Sequence, residues 1–326
     1  MNGKINNPQP LVIRSGFTSS QNYEDYATFK QSMSNYNHQC PYQLDSNAFH
    51  GYHQILQLYN IQISYAKRKG STMHTAITAK DCLIISLVGE DTDKACFGHR
   101  KVKTGDILFF DDTNSNIFMA KNTIEFTAIT IPKNLLGVEF SKLLKLINYH
   151  IKDIDSKLST ILNETMKKRE QNLEEAERKI MTVIMQLLSE QTPLRYKLTS
   201  GEKTAFKICD YIFHNMYGKI SIDSLVKQHQ TTKQTLSVSF KSLFGFTPQL
   251  FLRLLRLNHI HHELSQNNKD NTTVSSIASK WGFTHMGRFS SYYYELFKEQ
   301  PSQTLNNSNC HKQTMVKECV LKQEEL

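Results

Sequence analysis

The chain has 326 residues, a formal charge of +9 at pH 7 and 39% hydrophobic residues, room for about two domains, since a domain typically runs ~100 to 200 residues. The start, MNGKINNPQP, is polar with no apolar stretch behind it, and the longest apolar run, CLIISLV at 82–88, falls far short of the ~20 residues of a membrane helix. No secretory leader or helical membrane anchor is therefore expected, and the cytoplasm is the expected compartment. The six cysteines (Cys40, Cys82, Cys96, Cys209, Cys310, Cys319) are scattered without a Cys-x-x-Cys, which excludes a zinc ribbon or a thioredoxin-like pair by spacing and leaves ordinary reduced thiols.

Residues 1–50 are polar and aromatic and read as loop with one short helix. From 50 to 131 short runs such as ILQLYNIQISYA, DCLIISLVGE, GDILFFDD, NIFMA and IEFTAITI are separated by Gly, Asp, Asn and Lys clusters. Strands at that spacing predict a small β-barrel-like or sandwich domain. After Pro132 the pattern turns helical. Phe140, Leu143, Ile147, Ile151, Ile154, Leu158 and Ile161 step by three or four, and a second helix carries Ile180, Val183, Ile184, Leu187 and Leu188. This helical arm, 139–190, either covers the open side of the barrel or offers a coiled-coil-like seam to a second copy. QTPLRYKLTSGEK, 191–203, lacks periodicity and is the expected linker. A helical domain follows over 204–305, and 306–326 reads as a polar tail.

Within the last domain the chain nearly repeats. Leu236, Phe240, Phe244 and Pro248 recur 53 positions later as Phe289, Tyr293, Phe297 and Pro301. A short helix, 221–228 or 274–280, and a tight turn precede each set, so each unit (221–245 and 274–298) is helix, turn, helix. At 100° per residue Phe289, Tyr293, Leu296 and Phe297 share one face, while Gly287, Arg288, Ser291 and Tyr294 point away from it. The first unit buries Leu236, Phe240 and Phe244 and turns Gln234, Thr235, Val238 and Lys241 outward. A major-groove reader needs such a helix, whose N-terminal turns reach base edges. Between Tyr196 and Gln303 there are thirteen Lys or Arg against seven Asp or Glu, a basic excess that attracts polyanions. A long helix over 249–264, ~24 Å at 1.5 Å per residue, would space the two units for successive groove segments ~34 Å apart.

Gly282 fits a turn position with positive φ, Ala278 permits a close helix crossing, and Pro248 and Pro301 suit the first position of a helix. Trp281, Tyr292 and Tyr294 read as packing or phosphate-level residues. The pattern GF-x-H-x-x-RFS-x-x-Y-x-x-x-F-x-x-x-P at 282–301, with LFGFTPQLFLRLLRLN at 243–258, resembles the DNA-binding domain of the AraC/XylS family of bacterial transcription regulators, over about a third of the chain. The resemblance implies a cytoplasmic regulator with a seven-helix domain that binds double-stranded DNA through two such units. Carried over by position, the family's base-reading places fall on Gln234, Ser237 and Val238 in the first unit and on Met286, Gly287, Arg288 and Ser291 in the second. Arg288 leads, because Arg to guanine is the commonest specific contact. Thr232, Lys233, Lys241, Thr284 and Tyr294 are the phosphate candidates. Three departures stand out: Gln230 where the family commonly has a turn glycine, Val226 where a small residue is expected, and Gly287, which inside a helix costs about 1 kcal/mol relative to alanine and offers no side chain to a base, so the second unit is expected to read fewer bases than usual, with Arg288 dominant.

The expected fold is thus α+β in two domains: an N-terminal β-barrel-like sensor or dimerisation domain with paired helices, 1–190, and a C-terminal all-α double helix-turn-helix domain. AFHGYHQILQLYNIQISYAKRKG, 48–70, resembles the ethanolamine-utilisation regulator subgroup, a match too short to carry a ligand across. Expected partners are DNA, an unidentified small-molecule effector, RNA polymerase and a second copy of the chain. His50, His53, His74 and His99 lack the spacing of a metal set, and the acidic pairs Asp111–Asp112 and Glu90 with Asp91 and Asp93 suit solvated turns. No catalytic, metal or cofactor residue is expected. The competing reading is a barrel-like metal-binding or enzymatic domain carrying the DNA-binding domain as a passenger.

Overall fold

Strands begin before the region where the hydrophobic pattern announces them. The computed structural model describes residues 10–24, 39–76, 78–90, 92, 95–98, 100–113, 116–137, 143, 145–147, 149–167, 172–194, 197–217, 220–267 and 272–307. The strands are β1 Thr18–Tyr23, β2 Gln39–Gln43, β3 His50–Gln57, β4 Gln62–Lys69, β5 Thr72–Ala76, β6 Cys82–Val88, β7 Ala95–Phe97, β8 Arg100–Val102, β9 Asp106–Asp111, β10 Asn116–Ala120, β11 Thr123–Pro132 and β12 His150–Lys152. They form a seven-stranded sheet, β1-β3-β4-β11-β6-β9-β12, and a five-stranded sheet, β2-β5-β10-β7-β8. Neither sheet closes on itself, so the expected barrel is instead a pair of open sheets. One edge is β1, TSSQNY, exposed at every residue but Tyr23; it has no alternating apolar face, and the sequence pattern gave no sign of it.

The chain divides into two units: Met1–Pro41, Asn47–Leu198 and Leu243–Gly245 in the first, and Tyr42–Ser46, Thr199–Ser242 and Phe246–Leu326 in the second. In the first, side chains alternate across the large sheet. Leu83, Ile85 and Leu87 of β6 join Ile107, Phe109, Ile129 and Ile131 in a core closed by two helices, α1 (Lys157–Lys167) and α2 (Leu173–Glu190). Ile84 and Val88, on the opposite face of the same strand, join Ala95, Phe97, Val102 and Ala120 of the smaller sheet. Because β6 is covered on both faces, CLIISLV is buried throughout and apolar at every position but Ser86.

The expected stripe from Phe140 to Ile161 is not one helix. His150–Lys152 pairs antiparallel with β9, and Asp153 then accepts hydrogen bonds from the backbone N–H groups of Leu158 and Ser159. That carboxylate satisfies donors the first turn of a helix leaves open, which sets the start of α1. Ile151 and Leu158 of the stripe are buried in the unit's own core while Ile154 is exposed, so its residues do not share one face as a single helical seam would have them; residues 138–142 lie outside the described set. Beyond α2 the Gln191 side chain brackets Lys152, accepting from its backbone N–H (2.9 Å) and donating to its carbonyl (2.7 Å). Leu194 exchanges two backbone hydrogen bonds with His150. The first residues of the expected linker are thereby tied to the sheet edge.

The second unit is helical: α3 (Ser200–Asn215), α4 (Ile222–Gln228), α5 (Lys233–Phe244), α6 (Pro248–Gln266), α7 (Val274–Lys280) and α8 (Met286–Phe297), with a further helical stretch at 301–307. Thr199 and Glu202 form a capping box that starts α3, so helix begins inside the segment expected as linker. Pro248 occupies the first turn of α6, and Thr247 caps it, as its missing N–H suits. Phe251, Leu254, Leu255, Leu257, Ile260 and Leu264 of α6 are buried, making this helix the beam on which both helix-turn-helix units pack. Most of the expected tail, 308–326, lies outside the described residues.

Candidate nucleic-acid interface

The two helix-turn-helix units are built alike. In the first, Ser221 caps α4 and the turn closes with Gln230 N–H donating to the Lys227 carbonyl and Thr231 N–H to the Val226 carbonyl, each at 3.1 Å. In the second, Thr273 caps α7, and Gly282 and Phe283 donate to Ser279 and Ala278, each at 3.0 Å. The residue that turns the chain is left-handed in both, Gln230 at φ 49 and Gly282 at φ 84. Glycine suits position 282 on a second count, since a Cβ there would sit 3.1 Å from an Arg256 guanidinium nitrogen; Arg256 is itself held by the Met216 carbonyl.

The recognition helices α5 and α8 each divide into a buried and an exposed face. Leu236, Phe240 and Phe244 are buried on α5, and Phe289, Tyr293 and Leu296 on α8, while Phe297 is half-buried. On the other face Gln234, Thr235, Val238 and Lys241 are exposed on α5 and Gly287, Arg288, Ser291 and Tyr294 on α8, with Ser237 and Met286 half-buried. Every base-reading position carried over from the family pattern therefore lies at or beside an exposed face. Val238, apolar yet 62% exposed, is the residue burial alone would not place there.

Several of these side chains already have a local partner. The Thr232 hydroxyl accepts from Thr235 N–H (3.0 Å) and bonds the Thr235 hydroxyl, so it serves first as the cap of α5. Lys233 pairs with Asp223 at 2.6 Å with both groups exposed, a contact weak enough to exchange for a phosphate. Ser291 donates to the Gly287 carbonyl. Lys241, Thr284 and Arg288 are exposed. His285, which the sequence reading missed, occupies the N-cap position of α8 without making a side-chain cap and is exposed. Its signal was the absence of Ser, Thr, Asp or Asn at a helix start.

Behind the exposed face a polar layer fixes the second unit. Trp281 is buried and donates to Glu263 at 2.8 Å, and Lys280 donates to the other oxygen of the same carboxylate at 2.6 Å. Burial works to raise the Glu263 carboxyl, but these hydrogen bonds and the Lys280 charge outweigh it and hold it below the usual range. Tyr293 shares a hydrogen bond with Thr304 (2.7 Å), which donates to Glu299. His261 lies against Phe297 and within reach of Glu299, with its pKa lowered by burial. Arg253 of α6 stacks over Tyr292 at 3.9 Å. Trp281 and Tyr292 are thus packing residues, whereas Tyr294 is 49% exposed.

In the sheet unit, several of the histidines and acidic residues singled out by sequence have local partners. His53 is buried, bonds Ser64 at 2.7 Å and has its pKa pushed down to about 4 by burial. His50 pairs with Glu24 at 2.9 Å. His99 and the side chain of His74 lie outside the described set. Asp111 accepts from both the backbone and hydroxyl of Thr113. Asp112 binds Lys133 and the Asp81 N–H, which hold it below the usual carboxylate range although burial opposes them. Asp91 and Asp93 are outside the described residues. Among the described residues no group of three or more His, Cys, Asp or Glu is gathered as a metal set. No described helix is long and apolar enough to cross a membrane.

Comparison with known proteins points to the same segment. A family model described as "Helix-turn-helix domain" matches residues 225–307. The chain is 29% identical over 126 residues to "XylDLEGF operon transcriptional activator 3" of Pseudomonas putida, covering 39% of this chain and 38% of that protein. It is 30% identical over 107 residues to activator 1 of the same operon and organism, covering 33% and 32%. The chain therefore spans only about a third of the length of these curated relatives. A solved structure of a probable AraC family transcriptional regulator from Rhodopseudomonas palustris is 30% identical, covers 32% of this chain and 94% of its own, and superposes with a TM-score of 0.30. The paired helix-turn-helix units thus lie in a segment that matches a helix-turn-helix family model, and the C-terminal third of the chain is similar to transcription regulators of the AraC/XylS type.

Proposed function

We propose that the protein is a sequence-specific DNA-binding transcription regulator that places α5 and α8 in neighbouring segments of one major groove. The observation that carries this reading is the paired division of two repeated helices, each burying its aromatic face and presenting a polar or basic one. On α8 Arg288 reads a base, guanine by preference. On α5 Gln234, Ser237 and Val238 make the base contacts, and Met286, Gly287 and Ser291 complete the second set. Lys233, Lys241, Thr284 and Tyr294, with Thr232 at the helix start, hold phosphates and set register without reading sequence. Several matched relatives are named as transcriptional activators, which favours activation, with RNA polymerase as a partner.

The sheet unit contributes regulation rather than catalysis: it binds a small effector or a second copy, and shifts the DNA-competent population only as far as that ligand prefers one arrangement over the other. The cytoplasm is the compartment where such a protein meets its DNA. Selection of bound duplexes from a random library by the full chain, at ~0.15 M salt where phosphate binding alone is weakened, tests the reading. Two short boxes about one helical turn apart are expected. Arg288→Ala should cost ~1–3 kcal/mol in discrimination at one base position while leaving salt-dependent binding to random duplex in place. Absence of any enriched sequence, both for the full chain and for residues 196–326, would overturn it.

A further inference from the structure

Among the described residues, the glycines in and beside the helices from Ser200 onward have reasons that can be read from the fold, with one exception. Gly201 lies where a Cβ would come 2.6 Å from the Ser239 hydroxyl, so it permits a close approach between α3 and α5. Gly245 and Gly282 adopt positive φ, 80 and 84. Gly287 has neither property. It is exposed in the first turn of α8, its backbone is outside the left-handed region, and a Cβ built on it meets nothing within 4 Å.

A helical glycine weakens its helix relative to alanine, and among the described residues nothing close to Gly287 repays that cost. The residues around it are the ones assigned to the groove: Arg288 follows it, Met286 precedes it, and Ser291 bonds its carbonyl. The corresponding position of the first unit, 53 residues earlier, is Gln234, a long polar side chain suited to direct readout. We infer that Gly287 marks the point where α8 approaches the base edges most closely, and that the missing side chain is a specificity element, making room for a base edge beside the guanine read by Arg288. The inference rests on the DNA-binding reading above. In this arrangement the second unit reads sequence by fit at Gly287 and by hydrogen bonding at Arg288, whereas the first reads through the side chains of Gln234 and its neighbours.

The test uses G287A and G287V in the full chain, with thermal unfolding and binding to the selected duplex measured side by side. Expected for G287A is a higher unfolding midpoint together with an affinity for the selected site reduced by about tenfold or more, the loss of one good base contact. G287V should bind the selected site more weakly still, and binding of both variants to random duplex at low salt should stay within about twofold of the wild type, since that binding is phosphate-driven. Selected-site affinities within about twofold for both variants would overturn the proposal. So would a lowered midpoint for G287A, which would give the glycine a role in the fold. A wild-type chain that selects no site at all is a different result, removing the DNA-binding reading and this inference with it.

Discussion

The two helix-turn-helix units solve one problem with different residues, and the differences separate what the motif requires from what it tolerates. Both first helices end with the same hydrogen bonds onto the last turn, and both enter the turn through a left-handed residue. The second unit uses Gly282 there and the small, fully buried Ala278 at the crossing; the first uses Gln230 and a half-buried Val226. The turns also differ in length. From α4 to α7 the offset is 52 residues, whereas from α5 to α8 it is 53, so the second turn is longer by one. The geometry of the first helix's end is the requirement; glycine and a tight crossing are refinements that only the second unit adopts.

The comparison can be broken most forcefully at the shared aromatic position. Phe240 and Tyr293, 53 residues apart, are both buried at the corresponding position of their recognition helices, and each truncation to Ala should cost ~3–5 kcal/mol, read by chemical unfolding of the full chain. A cost under ~1 kcal/mol for one of them would mean that its unit is not packed as its twin is. The helix crossing is the next test. Ala278→Val overpacks a site with no exposed surface and should cost ~1–3 kcal/mol, whereas Val226→Ala, at a half-buried position, should cost less than about 1.5 kcal/mol. Equal effects would show that the two crossings are equally tight.

How much of this was legible from sequence follows from what each signal depends on. The two helix-turn-helix units and the long helix between them could be read closely because their determinants are local: apolar spacing of three and four, Ser or Thr at helix starts, Pro248 at a first turn; the start of α3 inside the expected linker was not. Burial then confirmed which side of α5 and α8 faces the core. The sheet unit was legible in composition but not in closure, since whether strands form a barrel or two open sheets depends on long-range pairing. β1 escaped because an exposed edge strand has no apolar alternation to reveal it. The stripe through Ile147, Ile151 and Ile154 misled for a related reason. Three-residue spacing also fits a short strand followed by a turn and a helix start, and the side chain of Asp153 tips the chain toward that outcome. His285 was missed because an uncapped helix start gives no positive signal.

The smallest expected effect bears most directly on tolerance. Gln230 holds φ 49 without being a glycine, and a left-handed residue with a Cβ costs roughly 1–2 kcal/mol. Gln230→Gly removes that cost but adds the conformational freedom of an unfolded glycine, worth roughly 0.5–1 kcal/mol, so the net gain should be about 0.5–1 kcal/mol. Lys298, at φ 59 and directly after α8, stands where Gly245, at φ 80, follows α5, and Lys298→Gly should gain by a similar margin. Gly282→Ala runs the exchange in reverse and meets Arg256 as well, so it should lose more than Gln230→Gly gains. Unfolding midpoints of the three variants decide the matter. If Gln230→Gly is neutral or destabilising while Gly282→Ala is costly, the first turn draws compensation from the glutamine side chain, and the difference between the units is one of design rather than tolerance.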